Sequence, residues 1–359
     1  MRRGGRAACP AATAWRGPRS RPGRPRRTRG GWLHEVLIIG GGPAGLTAGM
    51  YCRMRKMSAL VVDSGRVGGQ LVSVYGDKPV HDWPGVHDII ANELAQRLID
   101  HAKALEVEMT GNQKVEEVTS GGEAGFDVVA RDVVTKEERR HRASSLIVAI
   151  GGGAFEPRKL KVPGEDGLSE EALTYRMPDK AKVAGKKVVV VGGGDSGLES
   201  AQAAHEAGAK VTMIQAMDRF TGMESNIDLV NRMEIPRHFS TRVRQIDAEG
   251  GRIQAVWAAT KGVSDPMRLE CDYLVVNIGA APNLDAVRSW GIEVESNLIK
   301  VDCSMRTSVE GVFACGDIVT YEGKYKLLLT AASEGCVAAQ SAYLHVRKPQ
   351  RLTMTDLWT

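Results

Sequence analysis

The chain has 359 residues, of which 41 are glycine, 43% are hydrophobic and 25% are charged, and its formal net charge is +5. This length suits about two domains and excludes a small disulfide-stapled scaffold, and the glycines lack the triplet period of collagen. The six cysteines form no C-x-x-C pair and no apolar run reaches 18 residues, so a zinc ribbon, a vicinal dithiol and a membrane span are all excluded. Scattered free cysteines are typical of a reducing compartment, and we expect the cytoplasm.

Residues 1–33 read as a disordered, arginine-rich tail. Residues 1–30 hold ten arginines, no lysine and no acidic residue, so the rest of the chain carries a net charge of −5. The tail is rich in proline and glycine and lacks the apolar region of a secretory signal. Three interpretations stay open: a dispensable or misassigned N-terminus, an affinity for nucleic acid or a charged surface, and targeting. Because the basic charge lies in the tail, we expect neither a nucleic-acid nor a membrane partner for the folded part.

A strand–turn–helix pattern begins after the tail. The apolar run 35–39 enters Gly40–Gly45, followed by a helix-compatible stretch to about Lys56 and a second apolar run, residues 59–63. Runs this apolar are typical of parallel strands buried on both faces, and in that context the glycine spacing predicts a dinucleotide site. The candidates are Gly40, Gly42, Ala44 and Gly45, with Asp63 placed to accept hydrogen bonds from a ribose of FAD or NAD.

The same pattern occurs a second time. Residues 187–191 enter Gly192–Gly197, followed by a helical stretch to about Ala207 and an apolar run, residues 209–214. The candidates here are Gly192, Gly194, Asp195, Ser196 and Gly197. The second strand ends in Gln215-Ala216-Met217-Asp218-Arg219, with neither a strand-end acid nor a pair of arginines. The nucleotide therefore stays open between NADPH and NADH, and Arg219 is the nearby guanidinium for a 2′-phosphate.

Three further apolar strands end in glycine or just beyond it, at residues 145–151, 273–279 and 311–317. The first two are candidate hinges between domains, and the third would place Asp317 beside a cofactor, unless Asp317 caps the next helix. The layout predicts an α/β fold with two Rossmann-like dinucleotide-binding domains, the second inserted into the first. We expect an FAD-binding domain of residues 34–152 and 280–359 and an NAD(P)H-binding domain of residues 153–279.

Together with Gly68-Gly69-Gln70-Leu71 and Ala314-Cys315-Gly316-Asp317, the two glycine motifs resemble the flavoprotein reductases of the low-molecular-weight thioredoxin reductase type. Those reductases carry a C-x-x-C shortly before the second glycine motif, whereas residues 173–180 contain no cysteine. Electrons then have no vicinal dithiol by which to leave a flavin. Over about residues 34–350 the chain is similar instead to the thioredoxin-reductase-like ferredoxin–NADP reductases, most tellingly in the run from Gly316 to Lys324.

This resemblance implies an FAD-dependent enzyme that exchanges hydride with NADPH and single electrons with ferredoxin or flavodoxin. It also implies a homodimer, no metal and no required catalytic side chain, since the flavin carries the chemistry. The FAD contacts that it implies are Asp63 on the ribose, Gln70 and Tyr75 at the isoalloxazine ring, Val115 near the adenine, Phe155 near the flavin, Asp317 on the ribityl chain and Thr355 in a C-terminal extension.

Two alternatives stay open. One is a disulfide or quinone reductase that uses Cys315, Cys336 or a partner's thiol, although a lone cysteine is usually a small buried hydrophobe. The other is a flavin-binding redox sensor without turnover. Because ferredoxins are acidic and the chain beyond the tail is net negative, docking requires a local basic face. The candidates for that face are Lys324, Lys326, Arg347, Lys348, Arg351, Arg158, Lys159 and Lys161.

Overall fold

The computed structural model describes residues 26–28, 31–122, 125–152, 155–169, 171–175, 180–282 and 284–348. The described residues divide into two compact units, one drawn from Met1–Gly153 and Leu284–Thr359 and the other from Ala154–Asn283. Each unit contains a parallel sheet with helices, and the second is inserted into the chain of the first. The predicted fold class, two Rossmann-like α/β domains with one inserted into the other, is confirmed. No helix in the described ranges is long and apolar enough to cross a membrane.

The described helices and strands range from 2 to 20 residues, and several strands follow one another without an intervening helix. Up to residue 148 they are β1 (Arg26–Thr28), β2 (Gly31–Ile39), α1 (Pro43–Met54), β3 (Ala59–Val62), α2 (Gln70–Ser73), β4 (Pro79–Val80), β5 (Ile89–Ile90), α3 (Ala91–Ala104), β6 (Glu108–Thr110), β7 (Gln113–Ser120), β8 (Phe126–Asp132) and β9 (Glu138–Val148). In the second unit they are β10 (Phe155–Pro157), β11 (Leu173–Thr174), α4 (Lys180–Val183), β12 (Lys187–Val191), α5 (Asp195–Glu206), β13 (Lys210–Ile214), α6 (Glu224–Arg232), β14 (Arg237–His238), β15 (Thr241–Glu249), β16 (Arg252–Thr260), β17 (Met267–Glu270), β18 (Tyr273–Val276) and β19 (Ala280–Pro282). The chain returns to the first unit with α7 (Asp285–Ser289), β20 (Val294–Glu295), β21 (Leu298–Lys300), β22 (Val312–Ala314), β23 (Val319–Thr320) and α8 (Leu328–Arg347).

The main sheet of the first unit brings several of the predicted site residues to one edge. Its parallel strands lie in the order β6–β3–β2–β9, with β22 on the other side of β9. The strands β2, β3 and β22 are buried and apolar over most of their length, and α1 packs against α3 and α8. Because parallel strands point the same way, the residues just beyond β2, β3, β9 and β22 all lie at the carboxyl edge, where ligands bind in such sheets.

Strand β9 is longer than the run from which it was predicted. Its first half, Glu138–Ala143, pairs antiparallel with β8, and β8 pairs with β7. Its second half pairs in parallel with β2 and β22. Residues 138–144 are mostly polar, and all but Ala143 are exposed or half-buried, so an apolar run cannot reveal this part of the strand.

The structure also differs from the prediction at the end of the tail. β1 pairs antiparallel with the start of β2, where Arg26 lies opposite Leu33 and Thr28 opposite Gly31. β2 therefore begins at Gly31, within the segment assigned to the tail. Residues 1–25, 29 and 30 lie outside the described residues.

The second unit has its own parallel sheet, in the order β11–β18–β12–β13–β14. Alternate residues of β12 enter two different cores. Val188 and Val190 pack in a cluster with residues of α5, such as Leu198, while Val189 and Val191 pack in a cluster with residues of β15 and β16. Both faces of the sheet are therefore covered, one by helices and the other by the antiparallel sheet β15–β16–β17.

Candidate functional site

The first glycine motif connects β2 to α1 at the carboxyl edge of the main sheet. Gly40 has a φ of +112°, and a Cβ there would lie 2.2 Å from the carbonyl oxygen of Ala149. A Cβ at Gly45 would lie 1.9 Å from the carbonyl oxygen of Gly40. Gly42 is the N-cap of α1 and Pro43 occupies its first turn. The motif thus forms a tight turn that only glycine permits at these points.

The amino end of α1 leaves backbone donors free for a ligand. The N–H of Leu46 donates to the Gly42 carbonyl at 2.9 Å, whereas the N–H groups of Ala44 and Gly45 meet no acceptor in the described part of the chain. The loop at Gly68-Gly69 approaches this turn, since a Cβ at Gly69 would lie 2.8 Å from the Cα of Gly42. Free donors at the positive end of a helix, on residues whose side chains are no larger than a methyl group, fit a diphosphate.

Asp63 comes directly after β3, and its carboxylate lies across the glycine turn. Its Oδ2 accepts a hydrogen bond from the N–H of Gly41 at 2.6 Å, and its Oδ1 accepts one from the N–H of Gly65 at 2.8 Å. A carboxylate offers about four acceptor positions, so capacity remains for the hydroxyls of a ribose. The two backbone bonds fix the side chain in a half-buried position beside the turn.

Gln70 and Tyr75 lie in one short segment near the end of β9. Gln70 begins α2, and its amide nitrogen is 3.5 Å from where a Cβ of Gly151 would be. Tyr75 packs half-buried against the core, its N–H donates to the Gln70 carbonyl at 2.9 Å, and the Nζ of Lys78 lies 5.3 Å from its ring centroid. A backbone hydrogen bond thus holds the two residues in one short turn.

Val115 lies in β7 and is buried in the core of the first unit. Two residues earlier, the N–H of Gln113 donates to the carbonyl of Asp63 at 2.8 Å. β7 therefore starts beside the end of β3, so Val115 belongs to the same end of the sheet as Asp63.

Asp317 lies just beyond β22 at the same edge. Its carboxyl group accepts no hydrogen bond from any described residue, and burial raises its pKa, against the opposing effect of the nearby Lys324 and Lys326. The alternative in which Asp317 caps the next helix is wrong, because α8 begins at Leu328 and its N-cap is Leu327. A half-buried carboxyl group without a described protein donor fits a ligand that supplies hydroxyls.

The second glycine motif repeats the first between β12 and α5. Gly192 has a φ of +122°, and a Cβ there would lie 2.1 Å from the carbonyl oxygen of Asn277. A Cβ at Gly197 would lie 2.2 Å from the carbonyl oxygen of Gly192, and Gly194 is the N-cap of α5. The N–H groups of Asp195 and Ser196 find no acceptor among the residues that the structure describes. This turn also fits a diphosphate.

The two side chains in this turn have different surroundings. Asp195 is engaged by protein, because its Oδ1 accepts hydrogen bonds from the N–H of Met223 at 2.7 Å and from the Nδ2 of Asn226 at 2.9 Å. Asp195 thus ties α5 to the start of α6. The neighbouring Ser196 is exposed, so its hydroxyl is accessible to a ligand.

The end of β13 differs from the end of β3. Gln215 is buried, and its Nε2 donates to the carbonyl of Arg219 at 3.2 Å. That nitrogen lies 2.8 Å from where a Cβ of Gly193 would be. Arg219 is exposed, and its Nη1 is 3.6 Å from the Oδ1 of Asp218. At the end of β13, the amide of Gln215 therefore bonds back to the loop. The guanidinium of Arg219 and the carboxylate of Asp218 lie at the surface.

Comparison with known proteins decides the family. Residues 34–335 match the family described as pyridine nucleotide-disulphide oxidoreductase. The chain belongs to this family. The oxidoreductase is 32% identical over 321 residues to a ferredoxin–NADP reductase of Streptococcus gordonii, covering 89% of this chain and 97% of that protein. It is 34% identical over 315 residues to ferredoxin–NADP reductase 2 of Chloroherpeton thalassium, covering 86% of this chain and 90% of that protein.

A solved structure supports the same assignment. The crystal structure of Lactococcus lactis thioredoxin reductase in the FR conformation has a TM-score of 0.77 and 27% sequence identity, covering 88% of this chain and all of that chain, 100%. The predicted resemblance to reductases of the thioredoxin reductase type, and in particular to ferredoxin–NADP reductases, is confirmed. The chain is an oxidoreductase.

Two of the residues predicted at the flavin are not in the described part of the first unit. Phe155 lies in β10 of the second unit, where its backbone pairs with Pro282. Thr355 lies outside the described residues. Their predicted contacts stay predictions.

The basic residues predicted to form a docking face differ in how exposed and how paired they are. The prediction for Lys324 is wrong, because its side chain is 7% exposed and ion-paired with Glu334. Arg347 pairs with Glu35 at 2.6 Å between Nε and Oε1. Arg351 lies outside the described residues. Arg347 is exposed despite its pair with Glu35, and so are the remaining described candidates: Lys326, Lys348, Arg158, Lys159 and Lys161.

The cysteines of the described ranges are free thiols. Burial raises the pKa of Cys315 above its usual range, so this residue stays a neutral thiol and a poor nucleophile. Cys336 is half-buried and interacts with the hydroxyl of Tyr51. Among the residues that the structure describes, no group of three histidines, cysteines or acids is arranged to hold a metal ion.

Sequence reasoning missed Glu334, which the structure places behind Gly316. The carboxylate of Glu334 accepts a hydrogen bond from the N–H of Gly316 at 2.7 Å. The available signal was the composition of α8, in which Glu334 is the one acidic residue and most of the others are small or apolar. A single acidic residue in such a helix indicates that its carboxylate is paired with a buried polar or basic group.

Proposed function

We propose that this oxidoreductase is an FAD-dependent ferredoxin–NADP+ reductase. The observation that carries the proposal is the absence of cysteine from residues 173–180, where a thioredoxin reductase would need its dithiol. Relatives named ferredoxin–NADP reductase, which match about nine-tenths of the chain, support it. Without that dithiol, electrons from a nicotinamide need an acceptor outside the chain.

In this proposal the first unit binds FAD. When bound, FAD accepts a hydride from a nicotinamide and passes its two electrons singly to a one-electron carrier. The free N–H groups of Ala44 and Gly45 hold the diphosphate, and Asp63 and Asp317 accept hydrogen bonds from the ribose and the ribityl chain. The remaining contacts are those that the family resemblance implies, with Gly40 and Gly42 at the diphosphate, Gln70 and Tyr75 at the ring, Val115 at the adenine, and Phe155 and Thr355 at the flavin.

The second unit binds the nicotinamide dinucleotide. Gly192, Gly194, Ser196 and Gly197 surround its diphosphate, while Asp195 holds the first turn of α5 in place through α6. Arg219, exposed beyond β13, pairs with the 2′-phosphate of NADPH. NADH is the alternative, because Asp218 shares that surface and Gln215 offers no positive charge.

The carrier is ferredoxin, with flavodoxin as the alternative one-electron partner. Ferredoxins are acidic, and the exposed lysines Lys326, Lys348, Lys159 and Lys161 supply positive charge for docking. The family resemblance favours a homodimer. The free cysteines suit a reducing compartment, and we propose the cytoplasm.

The competing function is an NAD(P)H-dependent disulfide or quinone reductase without its own dithiol. Cys315 is a poor candidate for it, because its thiol is fully buried and its pKa is raised by that burial. Cys336 is the more accessible of the two. Replacement of both by serine distinguishes the routes, since a flavin-to-ferredoxin enzyme needs neither thiol.

The test is anaerobic stopped-flow reduction of the FAD-loaded protein by NADPH and by NADH, followed by reoxidation with ferredoxin, flavodoxin or thioredoxin. We expect fast bleaching of the flavin by NADPH, fast reoxidation by ferredoxin and no response to thioredoxin. The variant Cys315→Ser/Cys336→Ser should behave like the wild type. Reoxidation by a disulfide or quinone that the double serine variant loses would support the thiol route, and a flavin that neither nucleotide bleaches would indicate a sensor without turnover.

A further inference from the structure

A buried ion pair lies behind the turn that carries Asp317. The Nζ of Lys324 is 2.5 Å from the Oε1 of Glu334, and the two side chains are 7% and 5% exposed. The Oε2 of Glu334 accepts the N–H of Gly316 at 2.7 Å, and its Oε1 accepts the hydroxyl of Tyr321 at 2.7 Å. The Nζ of Lys324 also donates to the Gly316 carbonyl at 3.1 Å. One ion pair thus binds both polar backbone groups of Gly316.

Stability of the fold does not by itself account for this pair. Removing two charges from water is costly, and well-packed apolar residues of similar volume are often at least as stable as a buried ion pair. The charges are nevertheless fully engaged. Burial and the bond to Glu334 raise the pKa of Tyr321 to about 12, so its hydroxyl keeps its proton and remains a donor near neutral pH. The cluster therefore has a defined geometry, with Glu334 at its centre.

The cluster adjoins the first glycine motif. A Cβ at Gly316 would lie 3.1 Å from the Cβ of Ala44, and a Cβ at Gly335, next to Glu334, would lie 2.2 Å from the carbonyl oxygen of Ala44. The turn before Asp317, the second turn of α8 and the first turn of α1 are therefore in contact within the first unit. A change in the ion pair would shift the turn that carries Asp317 relative to the free N–H groups of α1.

We propose that the ion pair of Glu334 and Lys324, together with Tyr321, is a positioning cluster for FAD. It holds the Gly316–Asp317 turn against the start of α1, so that the carboxyl group of Asp317 meets the ribityl chain while α1 meets the diphosphate. Glu334, Lys324 and Tyr321 are positioning residues that act through Gly316. The inference rests on the proposed function only in taking FAD as the ligand of the first unit.

The test measures FAD affinity and apoprotein stability separately. Apoprotein of each variant is titrated with FAD, flavin fluorescence gives the Kd, visible circular dichroism reports the environment of the bound ring, and thermal unfolding of the apoprotein gives Tm. The variants are Glu334→Gln, Lys324→Met and the double variant Lys324→Met/Glu334→Leu. We expect each single variant to raise the Kd about tenfold to a hundredfold, as for loss of a hydrogen bond to a charged group.

The double variant separates positioning from a merely structural role. An apolar pair can restore the Tm of the apoprotein, but it cannot bind the N–H and carbonyl of Gly316, so the FAD Kd should stay raised and the circular dichroism altered. Recovery of wild-type FAD affinity together with Tm would overturn the proposal. Glu293→Gln is the matched control, because Glu293 forms an exposed ion pair with Lys300 at 3.3 Å in the same unit. It should change neither Kd nor Tm.

Tyr321→Phe keeps both charges and removes one hydroxyl, so it carries the test if the charge variants do not fold. It should raise the FAD Kd by no more than about tenfold, in keeping with one neutral donor, and an unchanged Kd would count against the cluster. Wild-type FAD affinity in Glu334→Gln would overturn the positioning role alone. Wild-type apoprotein that takes up no FAD would overturn the proposed function together with it.

Discussion

The two units of the chain form the same glycine turn but differ at the end of the next strand. Gly40 and Gly192 have φ values of +112° and +122°, and a Cβ on either would lie 2.2 Å or 2.1 Å from a carbonyl oxygen of the residue just beyond the neighbouring strand. Gly42 and Gly194 are both N-caps with extended backbone. The turn is therefore set by steric exclusion of side chains, which acts alike in both units.

The two units differ in the side chain that follows the next strand after the glycine turn, which is β3 in the first unit and β13 in the second. Asp63 in the first unit accepts hydrogen bonds from the N–H groups of Gly41 and Gly65, so its charge stays beside the turn. Gln215 in the second unit is buried and donates to the carbonyl of Arg219, so this position carries no charge. Backbone sterics thus explain why each unit can take a dinucleotide, whereas the residue after the second strand distinguishes the nucleotides that each can take.

The largest expected effect comes from a Cβ in either turn. Gly40→Ala and Gly192→Ala each force an L side chain into left-handed backbone and against a carbonyl oxygen. We expect Gly40→Ala to lose bound FAD, and Gly192→Ala to keep the flavin but lose its reduction by NADPH. Flavin absorbance per polypeptide and the anaerobic reduction rate measure the two losses.

Gly262→Ala is the control for backbone strain alone. Gly262 has a φ of +84° but nothing within 4 Å of a Cβ, so the substitution should cost only about 1–2 kcal/mol of stability and leave both nucleotides bound. Loss of FAD from Gly192→Ala with its retention in Gly40→Ala would reverse the assignment of the two units.

The sequence was informative where local sterics or burial on both faces decide the structure. The glycine spacing predicted both turns, and the apolar runs predicted β12 at its observed bounds and β3 to within one residue. The first half of β9 was missed because its residues are polar.

The side-chain contacts around the site could not be read from the sequence. Lys324 looks like a surface lysine until α8 brings Glu334 to it, and the direction of the Gln215 side chain depends on the loop that ends at Arg219. The first contact is set by the packing of α8, and the second by the conformation of a short loop that has no regular period. Motif spacing therefore predicts where a ligand binds better than it predicts which side chains are buried around it.

An intermediate effect is expected from the carboxylate that distinguishes the first unit. Asp63→Asn keeps the size of the side chain but removes the charge that accepts the N–H groups of Gly41 and Gly65. We expect the Kd for FAD to rise about tenfold or more, the value of a hydrogen bond to a charged group. Fluorescence titration of the apoprotein measures it. Asp127→Asn, whose exposed carboxylate pairs with the half-buried Arg142 in the same unit, is the control and should leave the Kd unchanged.

The smallest effect is expected at the surface of the second unit, where Arg219 and Asp218 carry opposite charges 3.6 Å apart. Removing the guanidinium with Arg219→Ala should raise the KM for NADPH about twofold to fivefold, within the range of an exposed ion pair, and leave the KM for NADH unchanged. Asp218→Ala should act in the opposite direction, because it removes a charge that repels the 2′-phosphate and competes for Arg219. Steady-state reduction of an artificial electron acceptor with each nucleotide gives the four KM values. If Arg219→Ala raises both KM values equally, the arginine contacts a part common to the two nucleotides, and the end of β13 does not select NADPH.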